Sequence, residues 1–280
     1  MAAVLAAMAA AGYGFARLVD KGRPKRREAA RVLERVFSDV VETSIRAGSD
    51  VVDDPAVEEL SSELMDRFSA GLATMAEDGG PVREITVLVV DSPEINAAAF
   101  PGNIVVLFGG LVRAVDGPEE LAGVLAHELG HCVSNDARNA FIREVGLSVL
   151  IGASGAGQAA EAAGEMIRGA VRLRYGRRAE KRADRFAVDL LAAAGMDPAA
   201  FADALRTLAD AAEGPPEWLR YADVHPPIEE RIADAEKRAA AAAGRRAAPS
   251  SRQGWNVDWQ AVLDALPAEP ESAEKSGAGD

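Results

Sequence analysis

The stretch "GVLAHELGHCVSND" at residues 123–136 carries the most specific chemical pattern in this chain. His127 and His131 are two of the three histidines in the chain, and Glu128 directly follows the first of them. Residues four apart project from the same side of an α-helix, because four residues turn it by about 400°. The spacing matches H-E-x-x-H, in which two histidines bind zinc and the glutamate serves as a general base. The alternative is a pair of buried histidines that are only hydrogen-bonded.

The residues before this pattern predict where its helix begins. Pro118 suits the first position of a helix, and Glu119 and Glu120 complement the positive end of the helix dipole. Cys132, the one cysteine of the chain, projects about 100° away from His131. We therefore interpret it as a small buried residue rather than a metal ligand.

A zinc hydrolase needs three protein ligands and one open position for water, so a third ligand must come from elsewhere. The stretch "RRAEKRADRFAVDLL" at 177–191 predicts a helix with an apolar face of alanine, phenylalanine and leucine. Glu180 and Asp184 lie four residues apart on that helix. Glu180 would complete a two-histidine, one-glutamate site, and Asp184 would accept the free ring N–H of a ligand histidine. The alternative is a surface carboxylate pair bonded to the neighbouring arginines.

The composition and the hydrophobic pattern predict an α+β fold that is predominantly α-helical, with a small β-sheet. Hydrophobic residues make up 49% of the chain and aromatic residues only 5%, and much of the apolar share is alanine, a strong helix former. Amphipathic helices are predicted at 26–48 and 55–78. Short β-branched runs predict strands at 84–90 and 103–110, with a loop or irregular strand between them.

The charge of the chain bears on its partners. The net charge of −13 argues against nucleic acid, because the field of the protein repels phosphate groups on average. Basic residues nevertheless cluster at 21–27 and at 168–182. We interpret both clusters as solvated surface charge.

Three segments are predicted along the chain, at 1–24, 25–246 and 247–280. The first is weakly apolar, lacks a cationic start and is followed by the basic flank at 21–27. A marginal membrane anchor, a poor export signal and a dispensable helix all stay open for it, and the flank favours a membrane-associated or cytoplasmic location over export. The last segment is a polar, partly disordered tail in which "WNVDWQAVLDAL" forms a helix or docks through its tryptophans.

Taken together, "HELGH" and "EKRAD" resemble the M48 family of zinc metallopeptidases, gluzincins related to the HtpX and Ste24 endopeptidases. "INAAAFPGNIVVLFGGLV" is similar to the edge strand and loop over the cleft in this family, and "HPPIEERI" to its His-Pro…Arg element. These motifs follow one another in the family's order over residues 84–235. The resemblance implies a zincin-like domain around an H-E-x-x-H helix, with polypeptide substrates. Because strong membrane spans are not evident, the chain resembles the soluble single-domain branch.

The resemblance also implies roles around the metal. One zinc ion per chain would be held by His127, His131 and Glu180. Glu128 would be the general base, and Asp184 would support a ligand histidine.

Outside the metal site, the resemblance implies roles for four further residues. His225 matches a histidine that faces the metal or stabilises the oxyanion, whereas its position alone is typical of a capping or core residue. Asn96 and Ala97 match the edge strand that binds substrate. Arg231 matches an arginine near the cleft, whereas its position alone is typical of a solvated helix residue. Asn103 departs from the family pattern by replacing a glycine.

The predicted reaction is peptide-bond hydrolysis by a zinc-bound water that Glu128 deprotonates. A substrate whose backbone pairs with an edge strand is bound mainly through its main-chain groups rather than its side chains. We therefore expect a broad preference for unfolded segments. The alternative is a zinc-stabilised binding or chaperone-like module with a closed site. Glu128 separates the two, because a structural zinc site has a fourth protein ligand and no use for a general base.

Overall fold

The computed structural model describes residues 38–39, 41–75, 85–137, 139–140, 175–211, 228–243 and 254–267. The labelled helices are α1 (Pro55–Met75), α2 (Gly109–Ala114), α3 (Pro118–Val133), α4 (Arg177–Ala193), α5 (Ala200–Ala211), α6 (Ile228–Ala243) and α7 (Trp259–Ala265). The strands are β1 (Thr86–Val90), β2 (Ala97–Phe100) and β3 (Ile104–Phe108). The predicted fold class, mainly helical with a small sheet, is confirmed. None of the helices in these ranges combines the length and apolarity needed to cross a membrane.

The sheet has the strand order β1-β3-β2. β1 is parallel to β3 and pairs Thr86 with Ile104, whereas β2 is antiparallel to β3 and pairs Ala97 with Leu107. Alanine has a low β-propensity, so the sequence of 91–102 predicts only a loop or irregular strand. Pairing with β3, rather than local propensity, makes β2 regular.

Both faces of β3 are covered, which explains its continuous apolar sequence. Val105 and Leu107 belong to the main core, which they share with residues of the surrounding helices. The alternate side chains, Ile104 among them, belong to a second core that includes Ile45 of the helical segment 41–48.

The tight turn between β2 and β3 contains the residue that departs from the family pattern. Gly102 and Asn103 both have left-handed backbone, with φ of 89° and 61°. Asparagine enters this region more readily than most residues with a side chain, so Asn103 suits a position at which glycine is usual. The strand predicted at 103–110 is shorter in the structure, because the chain turns into α2 at Gly109.

α3 and α4 pack closely enough to require a glycine between them. α3 begins at Pro118, as predicted, and nearly all of its side chains are buried. Gly130 faces α4 so closely that a Cβ there would lie 2.9 Å from Ala183 Cα and 3.2 Å from Ala183 Cβ. Ordinary contacts between carbon atoms are about 3.5–4.0 Å. The glycine therefore sets the distance between these two helices.

Residues 254–267 form a segment, here called the C-terminal strap, that packs against α1. Glu63 Oε2 accepts a hydrogen bond from the backbone N–H of Asn256 at 3.0 Å. One turn further along α1, the guanidinium of Arg67 lies 4.3 Å from the centre of the Trp255 ring. The strap contains the short helix α7, so the sequence that predicted either a helix or tryptophan docking does both.

Candidate metal centre

The centre forms where α3 and α4 meet, and it contains the three predicted ligands in buried positions. His127 Nε2 and His131 Nε2 lie 3.2 Å apart. Glu180 reaches across from α4, with Oε2 3.6 Å from His127 Nε2 and Oε1 3.5 Å from His131 Nε2. The structure therefore brings together two residues of one helix and one residue of another.

These separations fit a tetrahedral zinc ion. Zinc binds nitrogen and oxygen at about 2.0–2.2 Å, and tetrahedral angles then place neighbouring ligand atoms about 3.3 Å apart. The three observed distances, 3.2, 3.5 and 3.6 Å, lie close to this value. The donor set of two imidazoles and one carboxylate is also one that zinc hydrolases use.

The outer nitrogen of each histidine faces a carboxylate. His127 Nδ1 lies 2.9 Å from Asp184 Oδ1, and His131 Nδ1 lies 3.5 Å from Asp136 Oδ2. Carboxylates accept hydrogen bonds, so the ring protons belong on Nδ1 and both Nε2 atoms present lone pairs. Two lone pairs 3.2 Å apart repel each other unless a cation lies between them. This arrangement is the strongest structural indication of a metal ion.

Arg231 of α6 fixes the carboxylate that holds His127. Its Nη2 and Nε donate to Asp184 Oδ1 and Oδ2 at 2.7 and 3.1 Å. Burial alone would raise the pKa of Asp184, but the hydrogen bond from His127 and the Arg231 charge hold that pKa well below its usual range. Arg231 Nη2 also lies 3.3 Å from His127 Nδ1, but both groups are donors, so His127 bonds to the carboxylate.

Burial sets the charge states of the ligands. It lowers the pKa of His127 to about 3, so this imidazole is neutral, which is the form that binds a metal. Burial raises the pKa of Glu180. A divalent cation between the ligands would oppose this effect, because it favours the ionised carboxylate.

Glu128 is buried beside the cluster without being part of it. Burial raises the pKa of Glu128 to about 7. Its carboxylate accepts a hydrogen bond from the backbone N–H of Ala99 in β2. The candidate base on α3 is thus also in contact with the sheet.

The strand β2 carries the two predicted substrate-binding residues, Asn96 and Ala97, at its start. Phe108 N–H donates to Asn96 C=O at 3.1 Å, so the backbone of Asn96 pairs with β3. Backbone N–H and C=O groups alternate in direction along an antiparallel strand. Those of 97 and 99 therefore point to the outer edge of the sheet. The Ala97 N–H on that edge is bonded to Asn96 Oδ1 at 2.9 Å. Both residues are buried as side chains, and their role in binding substrate stays a prediction.

Three residues of the centre escaped the sequence analysis. The Tyr175 ring stacks on His131 with centroids 3.8 Å apart, and the Phe201 ring lies parallel to His127 at 5.6 Å. Asp136 belongs to the opening stretch itself, where Asn135 adopts φ 56° and turns the chain back after α3. An asparagine just past a helix end was the available signal, because asparagine often adopts left-handed backbone there.

Two further predicted residues have different outcomes. Arg231 is buried, so the expectation of a solvated helix residue is wrong, while its role near the substrate stays a prediction. His225 lies outside the described residues.

Comparison with known proteins agrees with this geometry. The model of peptidase family M48 matches residues 64–239. A putative beta-barrel assembly-enhancing protease of Vibrio cholerae is 30% identical over 222 residues, which are 74% of this chain and 44% of that protein. Mitochondrial metalloendopeptidase OMA1 of Schizosaccharomyces pombe is 32% identical over 152 residues, 53% of this chain and 45% of that protein. This chain thus spans less than half the length of either relative. Because the family match covers more than half of the chain and contains all three residues of the cluster, the chain belongs to peptidase family M48, as its motifs predict.

Proposed function

We propose that this chain is a zinc-dependent endopeptidase with Glu128 as its general base. The observation that carries the proposal is the convergence of His127, His131 and Glu180, with the lone pairs of both imidazoles in one small space. Family membership supports a metal-dependent peptidase, and the separations of the ligand atoms favour zinc.

Zinc held by these ligands would act as a Lewis acid toward the scissile carbonyl and would lower the pKa of a bound water. The chain itself supplies the proton transfers. The Glu128 carboxylate would accept a proton from the attacking water and return it to the nitrogen of the leaving amine. Glu128 suits this role because it is buried beside the ligands but is not one of them.

The outer carboxylates keep the ligands in the required form. Asp184 accepts the Nδ1 proton of His127 at 2.9 Å, and Asp136 faces Nδ1 of His131 at the longer distance of 3.5 Å. Arg231 in turn holds Asp184 in place through two nitrogen atoms. Carboxylate partners of this kind orient ligand histidines and increase their basicity.

The outer edge of β2 is the proposed binding site for substrate backbone. The Glu128 contact with the Ala99 N–H brings the base to this edge, so a chain paired there would present its peptide bonds near Glu128. The N–H groups of Ala97 and Ala99 on this edge are already bonded, so an extended segment would pair with it through the C=O groups of the same two residues. The expected substrates are therefore unfolded stretches of polypeptide.

Two parts of this proposal rest on the sequence outside the described residues, and only the role of His225 depends on the family resemblance. His225 would stabilise the oxyanion, and residues 1–24 would associate with a membrane through their apolar stretch and basic flank. The relative from Vibrio cholerae is named for enhancing beta-barrel assembly. By similarity to it, this chain would act in the assembly of beta-barrel proteins.

The rival function, a binding module with a closed zinc site, needs a fourth protein ligand. In the part of the chain that the structure describes, the candidate cluster offers three ligand atoms. Glu128 would also have no task in such a site.

The test compares zinc-loaded wild type with Glu128→Gln, using casein as an unfolded substrate. We expect both proteins to contain one zinc ion, and only the wild type to cleave casein. Cleavage by Glu128→Gln at the wild-type rate would overturn the role of Glu128. Glu180→Ala, in turn, should lose both zinc and cleavage, and full zinc occupancy in that variant would refute the ligand assignment.

A further inference from the structure

A groove of about 310 Å³ lies between α4 and α6, beside the metal centre but separate from its ligands. Asp184, which holds His127 from the Nδ1 side of the ring, forms part of its wall. The groove has the size of small-molecule sites, which begin at about 300 Å³. Its charged lining residues are Lys181, Asp184, Arg185, Asp234, Lys237 and Arg238.

Two of these charges are already neutralised inside the protein. Asp184 is bonded to Arg231, and Arg238 forms an ion pair with Asp189. Asp234 is the remaining carboxylate in the lining.

The other three charged lining residues are Lys181, Arg185 and Lys237, and each is exposed. Within the described ranges, no carboxylate lies at ion-pair distance, 4.0 Å or less, from any of the three. The groove therefore carries an excess of positive charge, even after Asp234 is counted.

This concentration of cations is unusual in a chain with a net charge of −13. Lys181 and Arg185 are four residues apart on α4, so they are neighbours on one helix face, where like charges repel. Lys237 adds a third cation from the opposite wall. A solvated surface can hold such charges separately, but here they line one concave space, where a bound anion would contact several of them at once.

We propose that this groove binds a phosphate group. Three cations on two helices can each reach a different oxygen of one phosphate, whereas a carboxylate offers only two oxygens. The ligand is a phosphate-bearing small molecule or the phosphate of a lipid headgroup, since both present the same chemistry. Lys181, the one of these three cations that lies in the basic cluster at 168–182, thereby gains a function beyond solvated surface charge.

The test measures phosphate binding by isothermal titration calorimetry, using the zinc-loaded full chain and sodium phosphate. Sodium chloride at the same ionic strength gives the baseline. We expect saturable binding by the wild type and a loss of at least about tenfold in affinity for Lys181→Ala/Lys237→Ala, because each variant side chain removes a charge-assisted hydrogen bond.

The matched control is Arg177→Ala/Arg178→Ala, which removes the same charge from exposed positions of α4 outside the groove. It should bind phosphate like the wild type. Equal losses in both double variants would overturn the proposal, since binding would then follow net charge. Wild-type affinity in both would overturn it as well, since phosphate would then bind outside the groove, as at the zinc ion.

Sedimentation with vesicles identifies the source of the phosphate. Vesicles of equal parts phosphatidylcholine and phosphatidic acid are compared with phosphatidylcholine alone. Sedimentation with the phosphatidic acid vesicles that Lys181→Ala/Lys237→Ala abolishes supports a lipid headgroup. Binding of free phosphate that the same variant abolishes, without sedimentation of the wild type, supports a small molecule. Wild type that binds neither probe refutes the site. Both measurements are independent of peptide cleavage, so they stand or fall apart from the proposed function.

Discussion

Replacing Gly130 with alanine should weaken metal binding even though alanine is the better helix former. The added methyl would lie 2.9 Å from Ala183 Cα, at least about 0.6 Å closer than an ordinary carbon contact. The nearest atoms of Ala183 belong to its backbone and Cβ, so no flexible side chain can move aside. α3 and α4 must therefore separate.

The separation acts on the metal site because Glu180 is one helical turn from Ala183. A displacement of about 0.6 Å exceeds the tolerance of metal–ligand distances, about 0.2 Å. We expect zinc affinity to fall at least about tenfold, the size of effect seen when the support of a ligand is lost. Overpacking costs about 1–3 kcal/mol of stability, and the helix propensity of alanine offsets up to about 1 kcal/mol of that.

Gly71→Ala provides the matched control. A Cβ at Gly71 would lie 2.9 Å from the Ala194 backbone nitrogen, so the steric conflict is similar but falls at the far end of α4 from Glu180. Zinc affinity is measured by competition with a chromophoric chelator, and stability by urea unfolding of the metal-free proteins. Gly71→Ala should lose stability and keep its zinc affinity. If Gly130→Ala binds zinc as tightly as Gly71→Ala does, the spacing of the two helices does not control the site.

Three further predictions concern the support of the site and the strap. Asp184→Asn should lower zinc affinity about 10- to 100-fold, because an amide cannot hold the His127 proton on Nδ1 as a carboxylate does. The same chelator competition measures this affinity, and an unchanged value would contradict the prediction. Removing the metal with a chelator should lower the thermal unfolding midpoint. The free energy of unfolding should fall by about 4 kcal/mol if the free zinc concentration had been about 1,000 times its Kd, and an unchanged midpoint would argue against zinc in the folded site. Glu63→Ala should lower the free energy of unfolding, measured in urea, by about 1–3 kcal/mol, because the Asn256 and Val257 N–H groups lose their acceptor. Casein cleavage should persist, and a loss of cleavage at full zinc occupancy would show that the strap acts on the active site.

The candidate metal centre could be predicted because its side chains follow helical spacing. His127 and His131 share a helix face at a separation of four residues, and so do Glu180 and Asp184 on the next helix. These four side chains are buried as a group, and the predicted third ligand reaches the histidines. Local periodicity was sufficient here, since each pair lies within one helix.

The remaining features depend on contacts between distant segments. Tyr175 and Phe201 are recognised only by the histidine rings on which they stack. Arg231 has the position of a solvated residue on α6, but its bonds to Asp184 bury it. β2 is rich in alanine and becomes a strand by pairing with β3. In each case tertiary packing outweighs the local preference of the residue.

The strap also has a consequence for the order of events during synthesis. Glu63 bonds to Asn256, 193 residues later in the chain, so its contact cannot form until nearly all of the domain has left the ribosome. Contacts of such long sequence separation slow folding, because a large loop must close first. Until the strap docks, it leaves the surface of α1 around Glu63 and Arg67 uncovered. The chain therefore completes its fold only after α3 and α4, the two helices of the candidate metal centre, have been made.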